Sequence, residues 1–227
     1  MQLQLPNELP WQEICSWMGY PSHQQPDPQT ISLAQQASKI VLNSAQPRGI
    51  FQRDGLYTNE QGTIMWRQMP LLGEDIGLHL KHCTHAVWMA VTIGTKTEMQ
   101  LRRIAKDVAL SYAVDAAAGL LAEKLADQLQ AFVQEQLQQG EYMTIRYSPG
   151  YGDFPIEIQR DVVRMLDTQK QMGLTVNSGG ILIPRKSITA ICGISNQPVK
   201  GRLAGCNHCL LREKCKYRKE GKYCGQS

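Results

Sequence analysis

The segment from Thr97 to Gln139 is the longest stretch of the chain that reads as one element. Leu110, Val114, Ala117, Leu121, Leu125 and Phe132 recur every three to four residues and draw one apolar stripe along a helix. Between positions 108 and 122 the opposite face is also poor in charge, since it carries Ala116 and Gly119, so this part is expected to be buried all round. A helix of that kind needs other elements packed against it, and 227 residues of 42% hydrophobic composition are enough for one large domain or two small ones. Glu123 ends the run. At about 100° per residue it lies roughly 200° around the axis from Leu121, on the small-residue face one turn after Gly119. Two readings of it stand: a solvated helix carboxylate, or a carboxylate beside a hollow left by Gly119 and Ala116 in which a cationic ligand could lie.

The charge balance excludes one class of partner. The 24 Lys and Arg against 20 Asp and Glu leave +4, but much of the excess lies between Lys200 and Lys222. Up to Gln197 the charges nearly cancel, so no basic face for nucleic acid is implied. The start MQLQLPNELPWQEI lacks the layout of a signal peptide, and no stretch of ~18 apolar residues offers a membrane span. A cytoplasmic location is therefore expected, without nucleic acid or membrane as partner. In that reducing setting the seven cysteines are not expected to be disulfide staples.

The rest of the chain reads as a mixture of helices and strands. Residues 7–20 suggest a short helix, PSHQQPDPQ a loop, and residues 30–45 a second helix. GIFQRDGLYT and TIMWRQM form a strand pair, and AVWMAVTIG is a buried strand ended by glycine. After the long helix EYMTIRY alternates, which predicts Arg146 on one sheet face with Thr144 and Tyr142 while Met143 and Ile145 face the other way. In SPGYGDFP, Pro149 and Gly150 suit a tight turn. Asp153 is placed to cap a helix running to about Met172, with Pro155 in its first turn and Gly173 closing it. ILIPRKSITAICGIS then gives two strands around a turn at Pro184. Arg146 is a cation at the end of a strand beside an open glycine loop, a position suited to holding a carboxylate.

Arg146, Gly150, Tyr151 and Pro155 spell R-x-x-x-G-Y-x-x-x-P, which resembles the adenosylmethionine-binding signature in the activation domain of cobalamin-dependent methionine synthase. The resemblance continues through LLGEDIGLHL, AVTIGT, the A-E-x-L segment at Ala122 to Leu125, and IPRKSITAICG, and so spans roughly residues 70 to 195. It implies an α+β fold, a bent antiparallel sheet with long helices, over residues 1–199. It also implies that the domain presents adenosylmethionine to an oxidised cobalamin. Arg146 would hold the methionine carboxylate, Gly150 and Tyr151 would wall the ligand, and Glu123 would face its amino or sulfonium charge. The strand after the proline turn lines the family's site with two aromatic residues, and Cys192 and Gly193 stand at those places here. The chain has no D-x-H-x-x-G cobalt-ligating signature and no room for further modules, so cobalamin is expected only on a partner, a corrinoid protein or cobalamin-dependent methyltransferase. Such chemistry needs an electron donor such as flavodoxin or ferredoxin.

A second constellation lies in residues 200–227, a basic Cys-rich tail. Cys206, Cys209, Cys215 and Cys224 give C-x-x-C-x5-C-x8-C, and four thiolates so close together suit an iron–sulfur cluster or a tetrahedral zinc. Unliganded thiols are the remaining reading. Methylating an oxidised corrinoid consumes an electron, which favours iron over zinc. Cys15 and Cys83 stand alone and read as small buried hydrophobes. His79, His82 and His85 form H-x-x-H-x-x-H, but they precede a buried strand and fit a helix end better than a metal site. Two functions follow: an adenosylmethionine-binding reactivation partner for a corrinoid protein, or a non-catalytic metal-binding module that transfers electrons to, or assembles with, such a methyltransferase.

Overall fold

The computed structural model describes residues 1–20 and 24–199, so the Cys-rich stretch 200–227, with Cys206, Cys209, Cys215 and Cys224, lies outside the described residues. In chain order the elements are α1 (Trp11–Trp17), α2 (Pro28–Ser44), β1 (Arg48–Thr58), β2 (Ile64–Trp66), β3 (Met69–Leu71), α3 (Glu74–His79), β4 (His85–Thr92), α4 (Thr95–Arg103) and α5 (Val108–Glu135). There follow β5 (Tyr142–Met143), a 3-10 turn at Ile156–Ile158, α6 (Gln159–Met165), α7 (Thr168–Met172), β6 (Thr175–Val176), β7 (Leu182–Ile183) and β8 (Ser187–Ser195). Six strands form one sheet in the order β3-β2-β1-β4-β8-β5, and β6 pairs with β7 apart from it. The expected α+β class with an antiparallel sheet and long helices is what the chain adopts. No helix among the described residues is long and apolar enough to cross a membrane.

The chain folds into two compact units. The first holds residues 1–50, 90–133 and 163–188. Its centre is α5, along which Leu110, Val114, Ala117, Leu121 and Leu125 are buried as the apolar stripe requires. Each such leucine contributes roughly 1.5–3 kcal/mol by leaving water. The expected single helix over 97–139 is two. The first turn of α5 is capped by Asp107, whose carboxylate accepts the Leu110 N–H at 3.0 Å, so the chain stops at Arg103 and starts again. Nor is the run from 108 to 122 buried all round, because Val108 is 76% and Tyr112 55% exposed; Phe132, assigned to the stripe, is 38% exposed.

The second unit holds residues 51–89, 134–162 and 189–199. Trp66, Trp88, Tyr147 and Phe154 are its largest fully buried side chains, joined by Ile76, Leu80 and Ile191. Phe154 stacks near Trp88 with ring centroids 6.3 Å apart and lies 6.2 Å from Tyr147. The expected helix up to Met172 is broken into the 3-10 turn, α6 and α7, because Asp167 adopts a left-handed φ of 49° between the last two. Gly173 closes α7 with φ 69°, as a C-terminal glycine should.

Arg53 and Glu141 fasten β1 to the approach of β5. The guanidinium donates to both carboxylate oxygens at 2.9 and 2.5 Å, and Glu141 also accepts the Gln138 N–H at 3.0 Å. These bonds, the Arg53 bond first, hold the Glu141 carboxyl below the usual carboxylate range. A carboxyl whose pKa is lower folded than unfolded adds stability above the unfolded value and loses it as pH falls through the folded one. Glu141→Gln should therefore cost about 1 kcal/mol at pH 7, and less on acidification. Thermal melts of both proteins between pH 7 and pH 3 should converge; a constant gap would refute the ion pair as the cause.

Candidate functional site

The loop that follows β5 is built for close approach. Gly150 has φ 88° and donates to the Phe154 carbonyl at 2.9 Å, while Tyr151 N–H reaches Ser148 O at 3.1 Å and Phe154 N–H reaches Tyr151 O at 2.9 Å. These bonds tie residues 148–154 into a compact turn, as Pro149 and Gly150 predict. Asp153 does not cap its own helix as expected. Its carboxylate accepts the N–H groups of Glu74 at 2.6 Å and Asp75 at 3.0 Å, the first turn of α3, so it anchors the loop to an element almost eighty residues away. Tyr151 is half exposed at 50% and meets the buried Tyr147 edge-on at 5.8 Å.

Arg146 does not share a simple alternating face with Thr144 and Tyr142. The regular strand ends at Met143, Tyr142 is exposed, Thr144 is buried at 1% exposure, and Arg146 is half-buried. The cause is an extra residue. Met143 pairs with Ile194 and Tyr147 with Ile191, so three residues (144–146) face two (192–193), which is a β-bulge. Arg146 lies within the bulge, close enough to Cys192 for its charge to act on that thiol. The Cys192 thiol is fully buried and pushed up to about 12 by that burial, with the Arg146 charge acting in the opposite direction. Both Arg146 and Tyr151 have partners within the protein.

Gly193 sits against α3 and the turn behind it. A Cβ at that position would lie 2.5 Å from Cys83 Sγ and 2.9 Å from Leu80 Cδ2, so with this packing no side chain fits there. Cys83 is itself pushed up to about 11 by burial. Cys15, Cys83 and Cys192 are all unpaired thiols, and Cys15 and Cys192 are buried. The three histidines of H-x-x-H-x-x-H fall on the last turn of α3, on a residue with φ 69° and on the first residue of β4, and no metal-holding group of side chains forms among the described residues. His79, far from being surface, is 1% exposed. Its Nε2 lies 2.9 Å from Thr144 Oγ1 and its ring 4.8 Å from that of Tyr147. Sequence reading misses both His79 and Thr144. The signal available is that His79 lies three residues after Ile76 and next to Leu80, on the face that α3 buries.

Glu123 belongs to the first unit and stands half-buried on α5, with interactions of its own. The expected hollow beside Gly119 is not open. The Trp17 indole fills it, so that a Cβ at Gly119 would be 2.8 Å from Trp17 Cζ3 and 3.7 Å from Lys186 Nζ. Lys186 is held there by Asp115 at 2.9 Å. Arg146, Gly150, Tyr151, Cys192 and Gly193 are thus gathered in one unit, and Glu123 is carried by the other.

No family model matches the chain, and no curated protein does. Among solved structures the chain is similar to the MetH reactivation domain bound to AdoHcy, with a TM-score of 0.56 and 15% identity over 97% of this chain and 87% of that one. At that identity the likeness speaks for architecture. The chain has the fold of the MetH reactivation domain.

Proposed function

We propose that the protein binds adenosylmethionine and serves as the reactivation partner of a separate corrinoid protein. The observation that carries this reading is Arg146, placed in a bulge at the end of the strand and followed by the Gly150–Tyr151 loop, on the fold of a domain crystallised with adenosylhomocysteine. A guanidinium suits a carboxylate because it offers paired donors in a plane. Gly150 lets backbone approach a ligand, and the exposed edge of Tyr151 offers an apolar wall.

The partner's cobalamin, reduced by one electron from a donor such as flavodoxin or ferredoxin, would supply the electron pair that accepts the methyl group, while Arg146 and the Gly150–Tyr151 loop would hold the sulfonium compound that gives it up. The sulfur keeps the pair of the broken bond, and adenosylhomocysteine leaves. The protein's own task is to hold and orient the methyl donor. Turnover should therefore require a separately supplied corrinoid protein, and tight binding of free cobalamin by this chain alone would refute the partner arrangement. Calorimetric titration with adenosylmethionine tests the site itself: saturable binding, displaced by adenosylhomocysteine, is expected, and no heat at millimolar ligand refutes it.

The tail adds a second component to this reading. Cys206, Cys209, Cys215 and Cys224 supply the four thiolates of an iron–sulfur cluster or of zinc, a reading that rests on the sequence alone. Protein purified without oxygen should be brown with broad absorbance near ~400 nm for iron, or colourless with stoichiometric zinc. Replacement of Cys206 and Cys209 by serine should remove the metal.

A further inference from the structure

We propose that Thr144 and His79 are positioning residues of the candidate ligand site, which hold the β-bulge that aims Arg146; this rests on the function proposed above. In a regular antiparallel ladder the Gly193 N–H would find a main-chain carbonyl across the strand. The extra residue in 144–146 removes that carbonyl from register. The structure replaces it with a side chain: Gly193 N–H donates to Thr144 Oγ1 at 2.9 Å, while Thr144 N–H donates to Gly193 O at 2.9 Å. One residue therefore closes both hydrogen bonds of the pair.

The hydroxyl has one proton and two lone pairs. The proton goes to Ile145 O at 3.0 Å, one lone pair takes the Gly193 N–H, and the other faces His79 Nε2 at 2.9 Å. With its proton on Nε2, His79 completes the set. Thr144 and His79 are each 1% exposed, so no solvent replaces a lost partner. The same imidazole lies 4.8 Å from the Tyr147 ring, which in turn meets Tyr151 at 5.8 Å. One buried histidine thus backs two walls of the site, the bulge that carries Arg146 and Gly193, and the aromatic pair that ends in Tyr151.

This assigns a task to the threonine hydroxyl that neither packing nor strand propensity explains, since valine has the same shape and a higher strand preference. It also explains why position 193 is glycine while its backbone still matters: the side-chain direction is blocked by Cys83 and Leu80, and the N–H is the group in use.

The test uses the full chain and two readouts, adenosylmethionine affinity by calorimetry and exchange of the Gly193 amide by nuclear magnetic resonance. In the wild type the Gly193 amide should be protected. Thr144→Val should weaken affinity about ten-fold or more and speed Gly193 exchange by a similar factor, as expected when a buried donor loses its acceptor. Thr144→Ser should restore both. His79→Gln, which keeps a donor, should stay near wild type, and His79→Leu should follow Thr144→Val. Ile76→Val, a mild core change on α3, should lower the melting temperature without moving affinity. Wild-type affinity in Thr144→Val, equal loss in Thr144→Ser, or an unprotected Gly193 amide in the wild type would each overturn the proposal. If the wild type takes no adenosylmethionine, the proposed function falls, while the Gly193 amide still reports whether the hydroxyl holds the bulge.

Discussion

Replacing Arg146 by alanine is expected to weaken adenosylmethionine binding about ten- to hundredfold while the protein stays folded. A charge-assisted hydrogen-bonded pair contributes roughly 1.5–3 kcal/mol, which is a ten- to hundredfold loss in affinity at about 1.4 kcal/mol per factor of ten. The other groups assigned to the ligand, the Gly150 backbone and the Tyr151 ring, carry no charge to compensate for it. The fold should survive because Arg146 is only half-buried and follows the last regular residue of β5, so its loss opens no cavity in the core. Arg146→Lys separates charge from geometry, since a single ammonium cannot reproduce a forked pair; it should recover part of the affinity and no more. An Arg146→Ala protein that binds like the wild type would take the carboxylate role away from this residue.

How far the sequence reaches differs from element to element. The positions of α2 and α5 are legible because burial repeats with the helical period, β4 because it is a continuous apolar run buried along its length, and the turn at Gly150 because only a few residue types suit it. The bulge is illegible for a physical reason. Alternation in EYMTIRY assumes one residue per step, and the extra residue is dictated by pairing with β8, fifty positions further on. The same holds for Asp153, whose carboxylate caps the N-terminus of α3, almost eighty residues away, and not the helix that follows it. Gly119 reads as a hollow in one helix until Trp17, on α1, is brought to it. His79 stands out in the sequence only as one of three histidines, whereas its neighbours Ile76 and Leu80 mark it as a core position. Local signals therefore specify which residues matter around Arg146, and tertiary contacts specify how they point.

Gly152→Ala should destabilise the protein more than any other single methyl group added to this loop. Gly152 has φ 55°, a conformation that costs an L residue roughly 1–2 kcal/mol. Beyond that strain, its Cβ would fall on the Asp75 carboxylate and lie 2.9 Å from the Tyr147 hydroxyl. Both neighbours are fixed, since Asp75 is 3% and Tyr147 1% exposed, so neither can swing into solvent. Displacing a buried carboxylate adds about 1–3 kcal/mol. The sum, about 2–5 kcal/mol, corresponds to a fall in melting temperature of roughly 4–20 °C for a chain of this size. Gly62→Ala is the matching control, because Gly62 has φ 80° and no atom within 4 Å of its Cβ position, so it carries the backbone strain alone. Asp75→Ala in the Gly152→Ala background should recover part of the loss, since the obstacle is gone, and the coupling between the two changes would measure the collision directly. If Gly152→Ala melts no lower than Gly62→Ala, the close approach of the loop to α3 is not what holds residues 148–154 in place, and Asp153 alone must fasten them.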